Sequence, residues 1–216
     1  MNRTSIQGLE CRWEVVAGWE RPLGVWVPVD QDSLLAELEG DIFESTDEKM
    51  PYFATLWPTA HRLARWIAGG PSLEGLRVLD LGCGVGLVGL AAARRGARVT
   101  FFDWESRALA LVEESARRNG IEVERTVAAD WRNPPLLPRF DVVFAADVLY
   151  EARNLEPVGR FVAAHLAPGG TAWIADPGRP QAKAFAEVAA RSGLEVQEIE
   201  DDGRSLFRLT PAKPTP

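Results

Sequence analysis

Asp80-Leu81-Gly82-Cys83-Gly84-Val85-Gly86 closes the short apolar run Arg77–Leu81 and opens the segment Leu87-Val88-Gly89-Leu90. A buried strand that runs into a glycine-rich turn and then a helix is the signature of a sheet whose strand ends bind a ligand. The glycines permit the tight turn and let a ligand lie against bare backbone. Gly84-Val85-Gly86-Leu87-Val88-Gly89 also satisfies the dinucleotide spacing, and Asp103 follows Gly84 by 19 residues, where a ribose-binding acid is expected. Asp80 chooses between ligands. A dinucleotide would set its pyrophosphate beside this turn, where a carboxylate repels it. S-adenosyl-L-methionine has no phosphate. It offers an ammonium and a sulfonium to Asp80 and a ribose diol to Asp103, so it is the expected cofactor.

Outward from this turn, helix and strand alternate. Thr59 to Ala68 reads as a helix stopped by Gly69-Gly70-Pro71, and Leu87 to Arg95 as a second. Arg98 to Phe102 is a strand ending at Asp103, and Glu105 to Asn119 is a helix with Gly120 just past its end. Strands follow at Glu122 to Ala128, Phe140 to Ala145 and Thr171 to Ala175, with helices at Leu155 to Leu166 and Gln181 to Ser192. Leu194 to Ile199 and Ser205 to Leu209 flank Asp202-Gly203, a hairpin signal. The pattern predicts an α/β, doubly wound, mostly parallel sheet with a C-terminal antiparallel hairpin. Residues 1–50 read as an extension on the substrate side. It has strands around Trp13–Val16 and Val25–Val29 and a short helix after Asp32-Ser33. Residues 51–210 form the main domain, and 211–216 a disordered tail.

Composition narrows the function. The 24 basic and 31 acidic residues leave a net charge of −7, which argues against a general binder of nucleic acid or anionic membrane. Two cysteines, Cys11 and Cys83, supply neither a disulfide framework nor a four-ligand zinc site. No apolar run approaches the ~20 residues needed to cross a bilayer, and the expected location is cytoplasmic.

Each strand end carries a candidate. Trp57 precedes the first helix, and Trp131 follows the third strand beside Asp130, a carboxylate able to accept the adenine amino group. Ala146-Asp147-Val148-Leu149-Tyr150 follows the fourth strand, with Asp147 and Tyr150 at the spacing of one turn. Asp147 is the candidate to orient the methyl acceptor and take its proton, and Tyr150 to shape the channel. The cofactor-side candidates are Trp57, Asp80, Gly82, Cys83, Gly84, Asp103, Asp130, Trp131 and Ala146.

These stretches, with Leu56-Trp57-Pro58 and Asp176-Pro177-Gly178-Arg179-Pro180, resemble the class I, seven-stranded S-adenosylmethionine-dependent methyltransferases over roughly residues 50–210. The sequence looks most like the small protein-lysine methyltransferases, and the stretch at Asp176 is similar to those acting on the electron transfer flavoprotein β-subunit. Leu149 stands where that group commonly has Phe. The resemblance implies a Rossmann-like fold, release of S-adenosyl-L-homocysteine, and a lysine side chain of a partner protein as acceptor. A lysine at its reference pKa is neutral only about once in 2,500 at pH 7, so such a site must favour the neutral amine. The alternatives are a small-molecule N-methyltransferase, which shares every cofactor motif, and a non-catalytic binding module that keeps the fold.

Overall fold

The computed structural model describes residues 2–17, 22–30, 34, 50–201 and 203–213. The helix expected after Asp32-Ser33 lies outside these residues except for Leu34. Seven strands form one sheet: β4 (Arg77–Leu81), β5 (Arg98–Asp103), β6 (Arg125–Ala128), β7 (Phe140–Ala146), β8 (Leu166–Asp176), β9 (Leu194–Asp201) and β10 (Arg204–Pro211). Their spatial order is β6-β5-β4-β7-β8-β10-β9, parallel except for β10, which runs antiparallel to both neighbours. Among the described residues five helices accompany them: α1 (Pro58–Gly69), α2 (Leu87–Arg94), α3 (Ser106–Asn119), α4 (Leu155–His165) and α5 (Phe185–Arg191).

Adjacent strand residues show why both faces must be covered. Val78, Phe101 and Phe144 enter one buried cluster, while Leu79, Phe102 and Val143 enter the other. Successive side chains point to opposite faces, so strands apolar at every position need helices on both sides. The chain leaves β4 toward β5 and β6, then returns to β7 on the other side of β4. This reversal opens a crevice beyond the carboxyl ends of β4 and β7.

The N-terminal segment departs from expectation. Arg3–Ile6 (β1), which read as no element in the sequence, pairs with Leu9–Val16 (β2), and β2 pairs with Leu23–Pro28 (β3). This three-stranded sheet lies on α3. The Trp26 N–H donates to Ser115 Oγ at 2.9 Å, and the Asn119 side chain bonds both the N–H and C=O of Gly24. Its apolar face joins the core beside α2 and α3. None of residues 2–17 or 22–30 lines the crevice. Trp26 and its neighbours are buried against α3, away from the strand ends. At the other end, Pro211 pairs with Leu194, and the Ala212 N–H donates to Gly193 O at 2.9 Å. The ordered fold thus runs past the expected boundary at residue 210, and residues 214–216 lie outside the described chain.

Candidate active site

β4 delivers Asp80 and the glycine turn to the crevice. The Gly82 and Cys83 N–H groups donate to Phe102 O at 2.8 and 3.0 Å, tying the turn to the neighbouring strand. Gly82 has φ +66°, and a Cβ there would lie 2.8 Å from Val148 and 3.2 Å from Trp131. Only glycine meets both conditions. Asp80 is 2% exposed, and its Oδ2 accepts the Gly89 N–H at 2.7 Å near the start of α2. Burial pushes its carboxyl up to about 7, helped by the charge of Asp103 and opposed by the Gly89 N–H. Asp103, at the end of β5, accepts from Gly84 N–H at 2.9 Å and Glu105 N–H at 3.0 Å. It too is raised by burial, to about 6. Two buried carboxylates at adjacent strand ends are charges that only part of the surroundings compensates. They fit a ligand that brings cations and hydroxyl donors, and they oppose a pyrophosphate.

The crevice is a cavity of about 270 Å³. It gathers Trp57, Asp80, Gly82, Cys83, Gly84, Asp103, Trp131, Ala146, Asp147 and Tyr150, ten of the eleven residues singled out from the sequence. Asp130 is the exception. Its carboxylate faces Arg132, with Nη2 to Oδ2 at 2.7 Å, and this guanidinium's hydrogen bonds lower its pKa against the effect of burial. Asp130 thus pairs with Arg132 and is not among the residues lining the cavity. Cys83 lies in the wall with its thiol pushed well above the usual range by burial, so it serves as a small neutral side chain.

The cavity also contains groups that sequence reasoning left without roles. Tyr52 and Phe53 lie on a 3-10 turn (Tyr52–Ala54) before α1. The Trp57 indole N–H donates to Tyr52 O at 3.0 Å, and the Tyr52 and Tyr150 rings approach to 4.9 Å. Burial raises the Tyr150 phenol to about 12, so it stays protonated and forms a wall, not a base. Asp147 adopts φ +64°, a left-handed conformation uncommon for a non-glycine residue, with its N–H on Ala175 O at 2.9 Å. Its Oδ1 is 2.9 Å from Arg179 Nη2, while Oδ2 is buried with no hydrogen-bond partner. Burial raises the Asp147 carboxyl, while Arg179 and the Thr59 hydroxyl oppose the rise. Arg179 also pairs with Asp176 at 2.9 Å and lines the cavity. The sequence signal for it was present in Asp176-Pro177-Gly178-Arg179-Pro180, but no spacing rule ties residue 179 to residue 147.

Residues 78–170 match a protein family described as a methyltransferase domain. A ubiquinone biosynthesis O-methyltransferase from Stutzerimonas stutzeri is 32% identical over 133 residues, covering 61% of this chain and 57% of that protein. The chain therefore spans little more than half the length of this curated relative. A 16S rRNA N2 G1207 methyltransferase from Thermus thermophilus, solved with S-adenosylmethionine and guanosine, superposes with a TM-score of 0.67 at 17% identity. It covers 97% of this chain and 52% of its own. Magnesium protoporphyrin IX methyltransferase from Synechocystis, solved with S-adenosylhomocysteine, gives 0.58 at 15% identity, over 71% of this chain and 82% of its own. This sequence relative carries the name of a small-molecule pathway, and the protein-lysine branch gains no support from it.

Proposed function

We propose that this chain is a class I S-adenosylmethionine-dependent methyltransferase that transfers the methyl group to a hydroxyl of a small molecule. The observation that carries this reading is the Arg179–Asp147 ion pair in the cavity wall. An incoming lysine ammonium would meet a carboxylate already neutralised by a guanidinium, and would itself be repelled by that guanidinium. A hydroxyl meets a different environment. It can donate to the Asp147 carboxylate, whose Oδ2 has no hydrogen-bond partner, while the neighbouring cation favours the oxygen as it gains negative character. Tyr52, Trp57 and Tyr150 provide aromatic faces on which a planar acceptor can lie. The O-methyltransferase names of the sequence relatives favour the same acceptor atom.

The cofactor supplies an electrophilic methyl group on a sulfonium. Asp80 and Asp103 hold the cationic chain and the ribose, and the glycine turn allows close backbone approach. Asp147 and Arg179 orient the acceptor oxygen. An O–CH₃ bond forms as the S–CH₃ bond breaks, the sulfonium leaving as a neutral thioether. The acceptor's proton passes to Asp147 and from there to water. Holding the two reactants in line contributes through effective molarity.

A tritiated-methyl experiment tests the reading. Purified protein and labelled cofactor are added to an extract of cells lacking this protein, and the products are divided into small-molecule and protein fractions. Label is expected in the small-molecule fraction, on oxygen. Label confined to protein lysines would overturn the proposal in favour of the amine-acceptor alternative.

A further inference from the structure

Arg179 lies in the loop after β8, yet its side chain reaches two carboxylates on two strand ends. Nη1 is 2.9 Å from Asp176 Oδ2, and Nη2 is 2.9 Å from Asp147 Oδ1. Asp176 is 1% exposed, and its Oδ1 accepts the N–H groups of Gly178 at 2.8 Å and Arg179 at 2.7 Å. These bonds fold the loop back so that the guanidinium has one fixed direction. Gln181 secures the other side of the loop by donating to the carbonyls of Leu149 and Tyr150 at 3.2 and 2.8 Å. The result is a fork clamped by Asp176 and aimed at Asp147.

Asp147 is 8% exposed, with a left-handed backbone and an Oδ2 that is buried without a hydrogen-bond partner. A carboxylate this deeply buried tends to take up a proton unless a nearby cation opposes it. Facing it are Asp176 and Arg179 from β8 and its following loop, and Thr59 from α1. Tyr52, Tyr150, Asp80 and Asp103 stand around the same cavity. Arg62 and Arg204 line the adjoining groove with Asp176. Asp176 repels the Asp147 charge, and Arg179 is the cation in direct contact with it.

We infer that Arg179 is a positioning residue: it keeps Asp147 ionised and fixes the direction of its carboxylate, so it sets the pH at which the site becomes competent. This rests on the methyl-transfer reading for its consequence, but the ionisation of Asp147 does not depend on any acceptor. A protonated Asp147 could not accept the acceptor's proton. A rotated one would offer that acceptor the oxygen now on Arg179.

The test follows the Asp147 carboxyl by carbon-13 NMR in protein labelled at aspartate, its resonance assigned with Asp147→Asn, in wild type, Arg179→Met and Arg179→Lys. Loss of the adjacent opposite charge is expected to raise the midpoint by about 1–3 pH units in Arg179→Met. Arg179→Lys keeps the charge without the fork and should leave the midpoint near wild type. With an acceptor in hand, the acid limb of the transfer rate should move by the same amount in Arg179→Met. An unmoved midpoint in Arg179→Met overturns the inference, as does a wild-type midpoint above pH 8. Should Arg179→Met fail to fold, Arg179→Gln poses the same question while retaining hydrogen-bond donors. A moved midpoint without transfer to any acceptor would leave this inference standing and count against the methyl-transfer reading alone.

Discussion

Asp80 and Asp103 reduce the stability of the fold when ionised, an effect that a bound cationic ligand should offset. Both have folded pKa values raised by burial, to about 7 and about 6, above an unfolded value near 4. Between those limits the folded chain binds more protons than the unfolded one. These two groups therefore reduce stability as pH rises from about 4 to 7, by an amount that levels off above their folded pKa values. S-adenosylmethionine binds best when both are ionised. Its affinity should strengthen roughly tenfold or more from pH 5.5 to 7.5, as two coupled sites give up their protons. Calorimetric titrations at the two pH values check this, and an affinity that is flat or weakens over that range would contradict it. The same residues show how far a sequence can be read. Acid–glycine spacing revealed Asp80 and Asp103 because the fingerprint is local. Arg179 escaped because its partner lies 32 positions away and meets it only across the β7–β8 pairing.

At the level of elements, the approach of α2 to the sheet depends on one missing side chain. A Cβ on Gly89 would lie 2.3 Å from the Phe101 ring and 2.9 Å from Asp80 Oδ2. Gly89→Ala would ordinarily favour a helix, by up to about 1 kcal/mol. Here overpacking should win and destabilise the protein by about 1–3 kcal/mol, while cofactor affinity falls because Asp80 is displaced. Chemical denaturation and calorimetry on the same variant measure both effects, and a variant more stable than wild type would refute the tight contact. Most of the parallel strands were legible as short, largely apolar runs between helices of clear period, whereas β6, Arg125-Thr126-Val127-Ala128, begins three residues later than the run from Glu122 suggested. β1 was not. Its burial pattern is three exposed residues followed by Ile6, so no apolar alternation marks Arg3–Ile6 as a strand. Its pairing with β2 is a tertiary fact. The placement of β1–β3 on α3 was likewise hidden, since the Ser115 and Asn119 contacts span 89 and 95 residues.

For the whole molecule, strand order divides the cavity. The ends of β4 and β5 hold the buried carboxylates Asp80 and Asp103, proposed for the cofactor, and the end of β7 presents Asp147 with Arg179, proposed for the acceptor. The most direct measurement of this division is calorimetric titration of S-adenosylhomocysteine into wild type, Asp103→Ala and Asp147→Asn. Asp103→Ala removes a charged hydrogen-bond acceptor from the cofactor half and should weaken binding roughly 10- to 150-fold. Asp147→Asn should leave binding within about threefold, a difference of well under 1 kcal/mol. The reverse pattern, with binding intact in Asp103→Ala and lost in Asp147→Asn, would contradict the account.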